Sequence, residues 1–152
     1  MKLKWTLLLG ALIPFVLTAV EIEAENGKVS EPSRIAAKEA ASGGKTVLFK
    51  NSARGLKKPT LETPTDLEIK AKLDKTGNYK VTLVIFTPNT SSDSLFMNIN
   101  NTEIKDKHFG FPKVGAPVIV YTGKMSAGEQ TIRFWSREPN LEIDKVIIEE
   151  VK

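Results

Sequence analysis

The stretch LEIKAKLDKTGNYKVTLVIF, residues 67–86, decides the fold class of this chain. Its first part, residues 67–73, alternates apolar with charged residues, the period of two that is typical of a half-buried strand. The following Lys-Thr-Gly-Asn segment contains residues that favour turns. Residues 78–86 are then rich in β-branched and aromatic side chains. The stretch therefore predicts two consecutive strands joined by a short turn.

The same composition recurs in further segments, which are separated by turn signals. These segments are residues 20–24, 46–50, 95–100, 117–121, 130–135 and 143–151. Only residues 33–42, SRIAAKEAAS, have helical composition. Helical and strand segments do not alternate, which argues against a Rossmann-type or barrel enzyme. The chain is therefore predicted to be all-β, an antiparallel β-sandwich jelly roll of about eight strands.

Residues 1–19 have the features of a secretory signal peptide. Lys2 and Lys4 precede the uncharged run WTLLLGALIPFVLTAV, which is shorter than the roughly 20 apolar residues that a membrane-spanning helix needs. Cleavage is expected after the small residue Ala19, and an uncleaved anchor is the alternative. Residues 20–152 are of single-domain size. We expect one exported domain, secreted or periplasmic, with no membrane association after cleavage.

The overall composition excludes several classes of partner and chemistry. The formal net charge is +4, and removal of Lys2 and Lys4 with the signal peptide leaves +2. A charge so close to neutral does not indicate nucleic acid or an anionic membrane as partner. Cysteine is absent, so disulfides and thiolate chemistry are excluded. Such a domain depends on its core, or on a bound ion, for stability.

No catalytic motif is present in the sequence. His108 is the single histidine, and neither Gly-x-Ser-x-Gly, His-Glu-x-x-His nor a phosphate loop occurs. Glu138 and Glu142 are close in sequence, and glycoside hydrolysis requires two carboxylates, but acidic residues at this density are common. We therefore predict that the protein is not an enzyme.

The longest irregular stretches are residues 51–66 and 101–116. Loops of this length in a small sandwich are functional or mobile. The second stretch contains Phe109 and Phe111 on either side of Gly110. These two rings are either displayed towards a ligand or tucked beneath the loop.

An acidic segment, VEIEAENG (residues 20–27), follows the apolar N-terminal run. Glu21, Glu23 and Glu25 would share one face, because residues i and i+2 of a strand point to the same side. Like charges arranged in this way repel each other. The segment is therefore an edge strand with a solvated acidic face, or two of its carboxylates share a cation.

The order of these pieces resembles that of the carbohydrate-binding modules of families 6 and 35. The matching pieces are EIEAENG, ASGGKTVLF, LEIKAKLDKTGNYKVTLVIF, LFMNIN, MSAGEQTIRFW and NLEIDKVIIEE. They correspond to an N-terminal Glu-Ala-Glu, a Gly-Gly segment, a Gly-x-Tyr turn, an Ala-Gly strand and a final strand containing Ile-Asp. The match covers nearly all of residues 20–152. The resemblance implies a galactose-binding-type β-sandwich jelly roll, in agreement with the strand pattern.

The resemblance also implies a structural calcium ion, Ca2+. Glu23, Glu25 and Asp144 would be its side-chain ligands, and residues 43–46 would add backbone carbonyls, chiefly that of Lys45. Calcium takes several oxygen ligands, backbone carbonyls included. Because Glu23 and Glu25 point to one face, they can converge on one ion. The solvated acidic strand is the alternative.

For the sugar, the resemblance implies aromatic side chains that stack on a pyranose ring, with polar groups that bind its hydroxyls. Residues 66–73 lack the aromatic that family 6 carries there. The family's second aromatic comes from the loop before the Ala-Gly strand, where Phe109 or Phe111 would stand. Asn140 lies beside the position of an amide that often completes the site in the family. Glu142 occupies that position itself.

Trp135 and Arg137 complete the predicted ligand-binding set. The alternation of residues 130–135 places Trp135 on the outer face or at the start of the next loop, and core packing is the alternative. Arg137 would bind hydroxyls or a uronic-acid carboxylate through charge-assisted hydrogen bonds, and a solvated arginine is the alternative.

The sequence therefore predicts an exported, non-catalytic carbohydrate-binding module with a structural calcium, whose partner is a poly- or oligosaccharide. The alternative is a secreted envelope or interaction protein that keeps the sandwich without binding sugar, which the missing aromatic in residues 66–73 favours. The sequence does not indicate an oligomeric state.

Overall fold

The computed structural model describes residues 19–50 and 57–151 of the 152-residue chain. The strands in these residues are β1 (Ala19–Glu23), β2 (Lys28–Val29), β3 (Arg34–Ala37), β4 (Lys45–Leu48), β5 (Leu67–Leu73), β6 (Gly77–Thr87), β7 (Ser94–Ile99), β8 (Lys105–His108), β9 (Lys113–Met125), β10 (Gly128–Ser136) and β11 (Glu142–Glu150). A single 3-10 turn (Ala24–Asn26) follows β1. None of the described residues belongs to a helix that could cross a membrane. The predicted signal peptide, except Ala19, lies outside the described residues.

The strands form two antiparallel sheets that pack face to face. Sheet A has the order β3-β4-β11-β6-β9, and β1 also pairs with β11. Sheet B has the order β2-β5-β10-β7-β8. The main hydrophobic core is built from the facing sides of both sheets. The predicted all-β sandwich is therefore confirmed.

The alternation in β5 shows why the sequence folds in this way. Leu67, Ile69 and Leu73 are buried, whereas Lys70 and Lys72 between them are exposed. Burial of each such aliphatic side chain contributes about 1.5–3 kcal/mol to stability. Strands β5 and β6 enter different sheets, so the turn between them joins the two layers.

All eight predicted strands are present, and three more were not predicted from the sequence. The additional strands are β2, β3 and β8. The helical interpretation of residues 33–42 is wrong, because Arg34–Ala37 pairs with β4 along its whole length. So short a helix is marginal without tertiary support, and sheet pairing overrides its composition.

The irregular interpretation of residues 101–116 is wrong in part, because β8 lies within this stretch and β9 begins at Lys113. The predicted strand began only at Pro117, because Gly115 interrupts the strand pattern before it. The structure accommodates Pro117 because β9 is an edge strand of sheet A, where a missing backbone N–H is tolerated. In the first irregular stretch, residues 51–56 lie outside the described residues.

Candidate functional site

An acidic site forms where one edge of β11 changes its partner strand. Strand β4 pairs with β11 up to Ile143, and β1 pairs with it from Lys145 onwards. On the other edge, the register with β6 shifts between these same two residues, so Asp144 is the extra residue of a β-bulge. A bulge redirects a side chain, and Asp144 is only 3% exposed. Its carboxylate lies against Ser42, in the turn between β3 and β4.

Ser42 connects two carboxylates at this site. Its backbone N–H donates to Asp144 Oδ1 and Oδ2, at 3.1 and 3.2 Å. Its hydroxyl oxygen lies 2.8 Å from Glu23 Oε2 and 3.1 Å from Asp144 Oδ1. A serine hydroxyl has one proton to donate. Two carboxylate oxygens therefore converge on a single donor, and negative charge accumulates at this point.

A third carboxylate, that of Glu25, reaches the same turn from the 3-10 turn after β1, so the prediction that Glu25 shares a strand face with Glu21 and Glu23 is wrong. A Cβ atom built on Gly43 would lie 2.6 Å from Glu25 Oε1 and 3.6 Å from Glu23 Oε2, so both glutamates lie close to the glycine backbone. The other oxygen of Glu25, Oε2, is buried and has no hydrogen-bond partner. A buried polar atom without a partner is unfavourable unless something outside the chain satisfies it.

The predicted calcium ligands are thus partly brought together. Glu23, Glu25 and Asp144 all lie at the Ser42–Gly43 turn, and Lys45 begins β4 just after it. Across residues 19–50 and 57–151, however, no group of three or more His, Cys, Asp or Glu side chains could hold a metal ion as placed. Instead, Ser42 hydrogen-bonds to Glu23 and Asp144, and Glu25 lies beside Gly43. Their oxygen donor set and the unpartnered Glu25 oxygen fit calcium, which accepts carboxylates and carbonyls.

A cavity of about 650 Å3 lies on the outer face of sheet A. Leu48, Glu142 and Phe86 are paired side by side on β4, β11 and β6, so they share the face that lines it. Asn140 lines the cavity from the loop before β11, and Val114 lines it from β9. The cavity therefore contains two of the predicted ligand-binding residues, Asn140 and Glu142.

Lys38 organises the charged part of this cavity. Its Nζ lies 2.8 Å from Glu142 Oε1 and 4.8 Å from the centroid of the Phe86 ring. Glu142 Oε2 also accepts a hydrogen bond from the Thr46 hydroxyl. The Glu142 carboxylate therefore has a donor at each oxygen, and the ring of Phe86 has a cation on its face. Phe86 is 5% exposed, so it does not offer an open stacking platform.

Asn140 has an unusual backbone conformation, with φ at +68°. Asparagine tolerates this left-handed region better than most residues. The backbone N–H of Asn140 donates to the Phe49 carbonyl at 2.8 Å, which fixes the loop, and the residue is exposed. The amide is therefore available to a ligand in the cavity.

The two phenylalanines of the 101–116 stretch have different positions. Phe109 is partly buried against the main core, and its N–H donates to the Asp93 carbonyl, so it is tucked beneath the loop. Phe111 is 78% exposed, and its carbonyl accepts a hydrogen bond from Thr87, which lines the cavity. Of the two, Phe111 is the ring that is displayed.

Trp135 is completely buried, which corrects the prediction that it belongs to the ligand-binding set. It pairs with Phe96 on the outer face of sheet B and forms a small second cluster with Phe96 and Ile104. Its indole N–H donates to the Thr63 carbonyl at 3.0 Å. The segment after residue 56 covers this face, and the core-packing alternative is the one that the structure supports.

Arg137 lies away from the residues that line the cavity. Its guanidinium donates to the Ser94 hydroxyl at 2.8 Å and lies 3.6 Å from Glu138 Oε1. Glu138 also accepts hydrogen bonds from the Ser94 hydroxyl and the Asp93 backbone. Burial alone would raise the pKa of Glu138, but these hydrogen bonds and Arg137 outweigh it, so the pKa is lowered. Through these hydrogen bonds, Arg137 and Glu138 hold the loop after β10 against the start of β7.

The sequence did not indicate Lys38, Phe86 or Val114 as site residues. One signal was available for Phe86: Val84, Ile85 and Phe86 are apolar at successive positions, which is typical of a strand covered on both faces. Lys38 carried no such signal, because its segment was interpreted as helical. Val114, 81% exposed, lay in a stretch interpreted as irregular.

No family model matches the chain, and a search of curated proteins finds no match. Solved structures match it over most of its length. An exo-β-1,3-galactanase from Phanerochaete chrysosporium, with bound β-1,3-galactotriose, is 23% identical with a TM-score of 0.62; the match covers 86% of this chain and 29% of that one. A family 35 carbohydrate binding module from Clostridium thermocellum is 20% identical with a TM-score of 0.63, over 86% of this chain and 98% of that one.

A third similar structure is a family 6 carbohydrate binding module of Cellvibrio mixtus lichenase 5A in complex with cellotriose. It is 14% identical with a TM-score of 0.57, and the match covers 88% of this chain and 98% of that one. This chain thus spans nearly all of each isolated module but less than a third of the galactanase chain. The likeness shows the fold: the chain has the β-sandwich of carbohydrate-binding modules of families 35 and 6.

Proposed function

We propose that this chain is a non-catalytic carbohydrate-binding module that binds a poly- or oligosaccharide in the cavity on sheet A. The observation that carries the proposal is the convergence of Asn140, Glu142 and Lys38, with Phe86, in one cavity of about 650 Å3. Ligand pockets are typically about 300–1,000 Å3. The modules with the same fold add support, since one of them holds cellotriose.

The chemistry of the cavity suits sugar hydroxyls. Each hydroxyl both donates and accepts hydrogen bonds, so it needs mixed partners. The amides of Asn140 and Asn89 supply both kinds, Glu142 accepts and Lys38 donates. Phe111 is not a lining residue, but it directly precedes Pro112, which lines the cavity, and its exposed ring is an apolar surface on which a pyranose ring could pack.

The non-catalytic part of the proposal is supported by the positions of the two acids considered for hydrolysis. Glu142 is held by Lys38 and Thr46, whereas Glu138 is held by Ser94 and the Asp93 backbone. Only Glu142 is among the residues that line the cavity. Each carboxylate therefore has its own structural partners.

We further propose that calcium binds at the Ser42–Gly43 turn, with Glu23, Glu25 and Asp144 as its carboxylate ligands. The unpartnered Glu25 oxygen supports this, as does the single proton shared by two other carboxylates. The ion would join the first and last strands of the domain. Export through residues 1–19 belongs to the same proposal, with Val20 as the first residue after cleavage.

A glycan array probed with the full chain tests the proposed function. We expect binding to neutral oligosaccharides, and a dye-labelled polysaccharide panel incubated with the same preparation is expected to show no release of dye. Failure to bind any glycan at micromolar protein would contradict the proposal and favour the envelope or interaction protein. The exposed Phe111 and Val114 would then be the surface to study for protein contacts.

A further inference from the structure

A second cleft, of about 550 Å3, opens between the free edges of the two sheets. Its walls are β7 and β8 of sheet B and β9 of sheet A, and β8 and β9 are the last strands of their sheets. It shares no lining residue with the cavity that contains Asn140. Nothing in the proposed function uses it.

Two lysines of β8 point into the space between the sheets. Lys105 pairs with Met97, and Lys107 pairs with Leu95. Residues that are directly paired in antiparallel strands lie on the same face, and both partners are buried in the main core. Lys105 and Lys107 therefore extend from the inner face of sheet B, where the sheet edge opens, and both line the cleft.

Neither ammonium group has an acidic partner among the described residues. Glu103, the acid that lines the cleft, lies 3.4 Å from Lys58. Asp106 lies on the opposite face of β8 and is 3.4 Å from His108. The cleft thus carries uncompensated positive charge at its opening.

The opposite wall supplies an aromatic ring and a hydroxyl. Tyr121 pairs with Val81, a core residue, so its ring turns inwards, and its hydroxyl donates to the Lys124 carbonyl at 3.0 Å. The ring is partly buried and lines the cleft beside Thr122. The cleft therefore combines cations on one wall with an aromatic and a hydroxyl group on the other.

We propose that this cleft is a second binding site, for a pyranose that carries an anionic group, either a carboxylate or a sulfate. The lysines would bind the anion through charge-assisted hydrogen bonds, and Tyr121 would pack on the sugar ring. The choice of a saccharide rests on the proposed function, but the residues are different. The competing explanation is that inward-pointing charges only protect an edge strand from pairing with other chains.

The test uses the full chain and matched pairs of ligands and variants. Galacturonate and galactose 6-sulfate each differ from galactose at one position, so calorimetric titration with the three sugars isolates the anion and distinguishes carboxylate from sulfate. The variants are Lys105→Gln with Lys107→Gln, and Lys70→Gln with Lys72→Gln. The second pair is exposed on β5, has the same spacing and removes the same charge.

We expect one anionic sugar to bind at least about tenfold more tightly than galactose, which corresponds to about 1.4 kcal/mol. The β8 double variant loses this preference and the β5 double variant keeps it. Equal loss in both variants would overturn the proposal. An anion preference that survives in the β8 variant would also overturn it, and aggregation of that variant would then indicate that the two lysines protect the edge strand. The neutral oligosaccharide from the glycan array is titrated into the same preparations. Binding of the neutral oligosaccharide should survive in the β8 variant. Loss of neutral-sugar binding therefore reports on the cavity on sheet A, and loss of the anion preference reports on the cleft.

Discussion

Glu142 and Asp144 are two acidic residues on the same strand with opposite electrostatic surroundings. Glu142 has Lys38 at one oxygen and the Thr46 hydroxyl at the other. Asp144 shares Ser42 with Glu23, beside a Glu25 oxygen that has no partner, and no lysine or arginine forms an ion pair with these three carboxylates among the described residues. The first acid is neutralised within the chain. Within the described residues, the acidic cluster has only the more distant charge of Lys145, which is itself paired with Glu21, and it is the place where we propose a calcium ion.

The largest effect is expected from calcium at the acidic cluster. Binding to the folded state alone stabilises it by about 2.7 kcal/mol at a calcium concentration one hundred times the Kd. For a domain of this size that raises the Tm by roughly 5–10 °C. Thermal unfolding in calcium and in chelator measures the shift, and Asp144→Ala should abolish it.

The matched control for this experiment is Asp74→Ala, an exposed aspartate in the turn between β5 and β6. It should keep the calcium-dependent shift. A wild-type Tm that is the same in calcium and chelator would show that the acidic cluster holds no ion. Strand β1 would then be an ordinary acidic edge strand, followed by a 3-10 turn that binds no ion.

A smaller effect is expected at the neutralised acid. Lys38→Met removes the ammonium from Glu142 and from the face of Phe86, and keeps most of the aliphatic side chain. Because the Lys38 side chain is one-third exposed, we expect a loss of only about 1 kcal/mol in the free energy of unfolding. Urea denaturation measures it, with Lys72→Met on the exposed face of β5 as control. A loss that appears only in chelator would mean that Lys38 acts on the acidic cluster instead.

The smallest effect is expected at Glu138, and it depends on pH. Its pKa is below the ordinary value of 4.5 in the folded state, so the stabilisation is present above pH 4.5 and is lost as the pH falls through the folded pKa. Glu138→Gln should therefore be less stable than wild type near neutral pH, by about 1 kcal/mol, and equal to it in strong acid. Urea denaturation as a function of pH tests this. A constant difference at all pH values would assign the effect to packing.

The strands could be predicted from the sequence because they depend on local order, whereas the members of the acidic cluster were suggested by the family resemblance. Alternation in β5 and β10 fixes which residues are buried. Glu23 and Glu25 do not share a strand face, because β1 ends at Glu23, and they come together only because both lie beside Gly43. The bulge at Asp144 could not be predicted, since it arises from the register between β11 and β6.

The residues that line the cavity on sheet A were less predictable, because several of them meet only through sheet pairing. Lys38 is distant in sequence from Glu142, and Phe86 reaches both across adjacent strands. Trp135 shows the converse. Alternation left open the outer face or the start of the next loop. The structure places Trp135 on the outer face, but the sequence did not show that the segment containing Thr63 covers it.

The most direct test of sugar binding in the cavity is a calorimetric titration with the strongest ligand from the glycan array. Asn140→Gly removes the amide and keeps a backbone that accepts positive φ, and Asn101→Gly is the matched control, because Asn101 also has positive φ but lies outside the cavity. We predict that Asn140→Gly weakens the Kd about tenfold and that Asn101→Gly leaves it unchanged. Equal affinity in all three proteins would contradict the placement of the sugar at this cavity.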